Sequence, residues 1–402
     1  MKKLLTLLCA GAALLLQAQS SPTFTLVSQN PNADARKPVI AIGEDGKLIA
    51  AWVETVGNVY QAIVKKWDGK IWQPYGRSLN LDKSFNSFYV SLGLSKSGAP
   101  VLAWTERSNI SISKTTGPGK IYVAAWQNNT WQRFGDSPTK KLTSSPDAPV
   151  MRLDSNDYPV MAWNELSPDF NANSVFADRW DGAMWQPVDS GSLSSDVSSA
   201  SRSMDLAVTS SNEPILAWSR QLFDPKRGVL DFNVFAGGWG GTVWNKIGAV
   251  SLNTNPERYA GAPSMVLDSA DRPNVAFVQA ERGFDVFVKR WSGSTWQQVG
   301  GSINNGTGLA GTPKLALNKN GTPTVAWLEN KGSIKVFVKR WDGLQWVALG
   351  GFLNIDPKSY AESLDLALDS SGNPTVVWSE EITQTQRRIY AKHWNGKVWT
   401  GL

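Results

Sequence analysis

The sequence predicts an all-β chain folded as a seven-bladed β-propeller of four-stranded antiparallel blades. Two observations carry that prediction: a seven-fold repeat marked by tryptophan, and two turn signals inside each repeat with no credible helical period between them. All 20 tryptophans fall on the repeat. Fourteen form W-x4-W pairs: Trp67/Trp72, Trp126/Trp131, Trp180/Trp185, Trp239/Trp244, Trp291/Trp296, Trp341/Trp346 and Trp394/Trp399. Trp52, Trp104, Trp163, Trp218, Trp327 and Trp378 each end an apolar run, and Phe277 holds the seventh such place. Copies spaced 50 to 59 residues apart imply a closed radial array rather than independent domains.

The last copy shows how one blade is built. Ser363 to Leu368 alternates like a strand, and Asp369 to Asn373 is a turn cluster with Gly372 free to take positive φ. Pro374 to Trp378 reads as the second strand, Pro suiting its first position. Arg388 to Trp394 is the third, Asn395-Gly396 a tight hairpin turn, and Val398 to Leu402 starts the fourth. The first turn recurs as 43–46, 95–98, 154–157, 209–212, 268–271 and 318–321, and the second at 68–69, 128–129, 181–182, 240–241, 292–293 and 342–343. Middle strands covered by neighbouring blades should be apolar almost throughout, as Val286-Phe-Val288 and Val336-Phe-Val338 are. A tryptophan at one place in every blade fits the wedge between blades, which widens outward, better than it fits a ligand platform.

The ends of the chain raise the question of closure. Residues 1–20 read as a secretory signal, with basic Lys2 and Lys3, an apolar run from Leu4 to Leu16 and small residues at Ala18 and Ser20. The propeller then occupies 21–402, its second strands ending near 52, 104, 163, 218, 277, 327 and 378. Thr23 to Ser28 resembles an outer strand, as does Val398 to Leu402, so the N-terminal piece is expected to close the ring against the seventh blade. The single cysteine, Cys9, lies in the signal segment, so the propeller has no disulfide. Without Lys2 and Lys3 there are 38 basic against 34 acidic residues, spread along the repeats. No charge block suits nucleic acid, and no further apolar segment spans a membrane. An exported monomer, secreted or periplasmic, is expected.

Variation between copies is confined to two connections. The links between strands two and three (105–120, 219–232, 379–387) and between blades (81–89, 190–203, 253–264, 355–363) differ in length and sequence. In an up-and-down blade both emerge on one face, and loops on a rigid scaffold are where binding residues belong. A polar residue recurs at that rim, two places after the apolar-run aromatic: Glu54, Glu106, Glu165, Arg220, Gln279, Glu329 and Glu380. These residues suit a ring of acceptors for sugar hydroxyls or for a cation, or else caps for the backbone N–H groups of the loops or partners of a neighbouring Lys or Arg. Tyr259 and Tyr360, at equivalent places in two inter-blade loops, could stack on a sugar. The Asp-rich first turns are too short for a calcium site and are explained by turn chemistry.

The whole repeat region resembles the bacterial seven-bladed propellers with tryptophan-rich repeats, a group that includes sugar-binding lectins. It is also similar to sialidase-type propellers, whose Asp-box pattern S-x-D-x-G-x-T-W is half matched by Gly69-Lys-Ile-Trp72 and Gly293-Ser-Thr-Trp296. The box aspartate is replaced by Trp67 and Trp291. The resemblance implies the propeller fold and a carbohydrate ligand. The arginine triad and tyrosine–glutamate pair of a sialidase cannot be assembled. Lys66, Arg179, Arg290, Arg340 and His393 share one place on strand three, where a solvated outward position is expected. His393 is the only histidine, which excludes a Ser/His/Asp triad and a histidine-rich metal site. The expectation is therefore a binding module without catalytic residues, cofactor or metal, holding a glycan or another extracellular polymer. A protein-docking scaffold is the alternative, and a glycoside hydrolase or lyase the second.

Overall fold

Apolar runs cut by Asx and Gly turns give each repeat four short strands, and the computed structural model pairs them in sequence order. It describes residues 24–28, 30–108, 119–140, 145–166, 173–188, 203–224, 229–248, 250–281, 283–304 and 308–402; the expected signal segment with Cys9 lies outside these. Blade 1 is Ala35–Ile42, Leu48–Val56, Val59–Trp67 and Trp72–Pro74. Blade 2 is Val90–Leu94, Pro100–Arg107, Gly119–Gln127 and Thr130–Arg133, and blade 3 is Ser145–Leu153, Pro159–Leu166, Asn173–Trp180 and Trp185–Pro187. Blade 4 is Met204–Val208, Pro214–Asp224, Val229–Trp239 and Trp244–Lys246. Blades 5 and 6 begin at Ala260 and Ala310 and follow the same plan, and blade 7 is Ala361–Leu368, Pro374–Thr383, Gln386–Trp394 and Trp399–Thr400. Every sheet is antiparallel in the order 1-2-3-4, and no helix occurs among the described residues. The first strand of each blade packs on that of the next, and blade 7 returns to blade 1, so seven inner strands ring a central axis.

Second strands are buried almost end to end, as the sequence predicts. Trp52, Trp104, Trp163, Trp327, Trp378 and Phe277 are among the largest fully buried side chains. Each indole removes on the order of 150–250 Å² from water, which makes these rings the main apolar filling of the wedges. The third-strand and fourth-strand tryptophans of each blade lie with ring centroids 5.4 to 5.8 Å apart. The outer indole also reaches back to the preceding blade. Trp131, Trp185 and Trp296 donate Nε1–H at 2.8 Å to the carbonyls of Tyr75, Phe134 and Ile247, each three residues beyond the previous outer tryptophan. One residue further on, Gly76, Gly135, Gly248, Gly300 and Gly350 take positive φ beneath the next blade's tryptophans. A Cβ on Gly300 would stand 2.4 Å from the Trp341 ring.

Both chain ends supply the outer strand of blade 7. Trp399 and Thr400 pair with Trp394 and His393, and further along the same edge Thr25 and Leu26 pair with Ala391 and Tyr390. The two pieces run end to end, and Leu402 N–H donates to Thr25 Oγ1 at 2.8 Å. The ring is therefore closed by residues 24–28, and Val27 is fully buried at the seam.

The three arginines of this strand-three position are inter-blade ties, which corrects the expected solvated position for them, while Lys66 is exposed as expected. Arg290 Nη2 donates to Gly321 O at 2.9 Å, in the first turn of the next blade. Arg179 and Arg340 make the same bond to the carbonyls of Asn212 and Gly372. His393 instead lies 3.0 Å from Thr375 Oγ1, and burial lowers its pKa. The preceding lysines tie to the other neighbour: Lys339 Nζ donates to Ile303 O at 2.6 Å and Lys392 Nζ to Leu353 O at 2.8 Å.

Candidate functional site

The inter-blade and strand-two-to-three connections share one face, and the repeated glutamates sit just beneath it. Glu54, Glu106, Glu165, Glu329 and Glu380 are all buried, and each accepts the indole N–H of the tryptophan two places earlier at 2.7 to 3.0 Å. In three of them the remaining lone pairs go to the incoming inter-blade loop, whereas Glu329 pairs with Lys331 Nζ at 2.8 Å. Glu106 accepts from Leu81 N–H at 2.6 Å and Asp82 N–H at 3.1 Å. Glu165 accepts from Lys140 N–H at 2.7 Å, and Glu380 from Ile355 and Asp356 N–H at 3.0 and 2.9 Å. All five are buried rather than an exposed ring of acceptors, and Glu106, Glu165 and Glu380 are loop caps, a role their position allows. Their oxygens are taken by donors the fold must satisfy. Burial raises the pKa of Glu54 despite the Trp52 bond.

The two exceptions follow the same logic. Blade 5 has Phe277, which has no N–H to satisfy, and there Gln279 accepts from Thr254 N–H at 2.7 Å. Blade 4 has Trp218 with Arg220, and the buried Trp218 Nε1 has no hydrogen-bond partner among the described residues. Arg220 is half-buried.

Sequence reasoning missed the partner of this cap. At the end of the outer strand stands a buried asparagine: Asn80, Asn253, Asn304 or Asn354. Its Oδ1 accepts from the third strand, at Ala62, Val234, Val286 and Val336, at 2.7 to 3.0 Å. Its Nδ2 holds the loop carbonyls of Phe85, Arg258 and Ser359 in three copies. At the seam, Ser28 Oγ takes the same place, accepting from Ile389 N–H at 2.9 Å. The signal was legible as Leu79-Asn80, Leu252-Asn253, Ile303-Asn304 and Leu353-Asn354. Three of the connections expected to vary (81–87, 254–260 and 355–361) are thus one locked conformation. Tyr259 packs between Phe232 and Phe284, each at 5.4 Å, yet is 37 % exposed, and Tyr360 is 46 % exposed.

Two openings flank the connection from blade 1 to blade 2. On its outer side, Leu81, Asp82, Lys83 and Phe85 face Ser108, Gly119, Lys120 and Tyr122 across a cleft of about 660 Å³, with Glu106 at its floor. Tyr122 lies over Trp104 at 5.8 Å, and burial raises its hydroxyl's pKa. On its inner side, Ser87, Phe88 and Tyr89 join Arg36, Lys37, Val53, Tyr60 and Glu362 around a pocket of about 140 Å³. A third opening, of about 560 Å³, lies among the first turns of blades 1 to 3 on the opposite face. Across the blades the leading aspartate of such a turn caps the turn itself, while Asp157 accepts from Lys96 N–H of the neighbouring turn at 2.9 Å. Asp154 Oδ1 accepts from Asn156 and Tyr158 N–H, and Asp268 Oδ1 from Ala270 and Arg272 N–H, at 2.8 to 3.1 Å.

No family model matches the sequence, and neither does any curated protein. Solved structures do match. An ulvan lyase of polysaccharide lyase family PL25 is similar at a TM-score of 0.58 and 9% identity, over 91% of this chain and 95% of that one. The β-propeller domain of the trilobed protease from Pyrococcus furiosus is similar at 0.52 and 11%, over 90% and 93%. Trypanosoma rangeli sialidase is similar at 0.50 and 10%, over 90% of this chain and 55% of its own. The likeness is one of fold. The chain is a seven-bladed β-propeller of four-stranded antiparallel blades, and at these identities its neighbours say nothing of its chemistry. No helix among the described residues is long and apolar enough to cross a membrane.

Proposed function

We propose that the chain is an exported, non-enzymatic binding module that holds a glycan or another extracellular polymer on its variable face. The observation that carries this is the cleft of about 660 Å³ between blades 1 and 2. Phe85, Tyr122 and Leu81 give it apolar surface for the C–H face of a sugar, and Lys83, Lys120 and Asp82 give it polar groups of both signs at the rim. Several solved propellers of this shape carry glycan chemistry in their descriptions, including the ulvan lyase and the sialidase bound to sialic acid. The half-exposed Tyr360 and half-buried Arg220 extend the contact surface, while the repeated glutamates and Gln279 serve the ligand only by fixing the loops. Export rests on the N-terminal segment 1–20.

Titration of intrinsic tryptophan fluorescence with oligosaccharides tests this reading. Saturable binding that weakens in Phe85→Ala and Lys120→Ala is expected. Binding unchanged in both variants would remove the cleft, and no binding to any saccharide by folded protein would remove the module reading.

A further inference from the structure

The inner pocket has a charge pattern that the fold does not use up. Asp34 is saturated: Oδ2 accepts from Arg36 Nε at 2.6 Å and from the Tyr60 hydroxyl, and Oδ1 accepts from Arg387 N–H at 2.7 Å. Glu362 is shared between Arg36 Nη1, at 3.5 Å, and Arg387 Nε. Two guanidinium groups therefore balance two carboxylates. Lys37 is left over. It has no ion-pair partner among the described residues, and its ammonium lies 5.8 Å from the centre of the Tyr89 ring. A further donor on the same cluster, the buried Arg387 Nη1, also has no hydrogen-bond partner.

The backbone places Lys37 there at some strain. Its φ is +53°, at a bulge just before Pro38. The same bulge recurs in blades 3, 5 and 6 at Ala148, Ala262 and Thr312, each before a proline and each with positive φ. The bulge is thus a scaffold device, and the other three copies fill it with small, uncharged side chains. Of these four copies only blade 1 presents a long cation from it. The walls suit an anion. The hydroxyls of Tyr60 and Tyr89 are both pushed up to about 12 by burial and by Asp34 and Asp147 respectively, so they stay neutral and add no repulsion.

We propose that this pocket at the inner edge of the variable face binds the anionic substituent of an acidic saccharide, with Lys37 Nζ as its counter-ion. The inference rests on the module reading and names its ligand class. Because Asp34 and Glu362 already occupy the Arg36 fork, recognition is by a point charge rather than a bidentate clamp. Such a site takes a carboxylate or a sulfate ester alike. Connection 81–89 lines the outer cleft with residues 81–85 and the pocket with 87–89, so one saccharide chain crossing it reaches both.

The test titrates the full propeller with oligogalacturonate, dextran sulfate and unmodified dextran of matched length, at low and high salt. Binding to at least one charged probe, absent with dextran and weakened by salt, is expected. Lys37→Gln should bind that probe about tenfold more weakly, the loss of one charge-assisted contact. Lys37→Arg should restore most of it, and Lys319→Gln, on an exposed turn of the opposite face, should match the wild type. The probe that binds tells carboxylate from sulfate. Dextran binding as tightly as the charged probes, or Lys37→Gln binding them like the wild type at an unchanged melting temperature, would overturn the inference and leave the module reading standing. Folded wild type that binds neither charged probe would also overturn the inference, while the module reading falls only if the wider oligosaccharide titration finds no ligand.

Discussion

Replacing Glu380 separates a loop cap from a ligand contact. Its carboxylate is 1 % exposed and accepts from Trp378 Nε1 at 2.7 Å, Asp356 N at 2.9 Å, Ile355 N at 3.0 Å and Ser359 Oγ at 2.5 Å. Glu380→Ala leaves the indole N–H with no acceptor inside the wedge, a loss of about 1–3 kcal/mol. The loop amides are only partly buried, so water replaces some of their bonds, and they add about 1–2 kcal/mol more. The sum, about 2–5 kcal/mol, corresponds to a melting temperature lower by roughly 2–6 °C in a chain of this length. Glu380→Gln keeps one acceptor and should cost about half as much. Combined with Trp378→Phe it recreates the Phe277/Gln279 pairing of blade 5, so the double variant should be more stable than the two single losses predict, by about 1 kcal/mol. Calorimetry of the wild type, Glu380→Ala, Glu380→Gln, Trp378→Phe and the double variant checks this. Glu380→Ala that melts with the wild type but loses saccharide binding would refute the cap assignment and restore the carboxylate as a ligand group.

Gly300→Ala forces both a left-handed φ and a clash with Trp341, and should cost about 2–5 kcal/mol. Gly343→Ala, where φ is +105° and the space is open, should cost only about 1 kcal/mol by the same melts. Val27→Asp buries a charge at the seam and should lower the melting temperature sharply, as should deletion of residues 21–30; unchanged melting would contradict the closure. Burial raises the folded-state pKa of Glu54, so the folded chain holds that proton more tightly than the unfolded chain does. Its contribution is favourable below the unfolded pKa and lost as pH rises through the folded one. Glu54→Gln should therefore compare better with the wild type at pH 7 than at pH 4, and a gap that stays constant or moves the other way would count against the assignment.

The parts of the fold legible in the sequence were those repeated seven times. The W-x4-W pairs, the two turns and the apolar second strands register independently in each copy, so chance agreement is negligible, and the blade plan follows. The repeated glutamates were equally visible, but a buried cap and a rim ligand leave the same sequence mark. What decides between them is the indole N–H two residues away and the loop amides 25 residues earlier. The strand-three arginines depart from the expected solvated position because a strand's outward face is exposed in an isolated sheet, whereas here the next blade's turn covers it; Lys66 alone keeps that exposure. The Leu-Asn lock went unnoticed for a simpler reason: it sits in connections whose remaining residues diverge. The inner pocket was invisible to repeat logic altogether. Lys37, Tyr60, Tyr89 and Glu362 come from three blades, and each departs from its own repeat.

The most direct test of the account is a glycan-array screen on the folded propeller, with each hit followed by fluorescence titration. The account predicts a saturable acidic saccharide ligand whose affinity falls in Phe85→Ala and Lys120→Ala while the melting temperature holds. A folded protein that binds no saccharide, or one whose binding survives both substitutions unchanged, would contradict it.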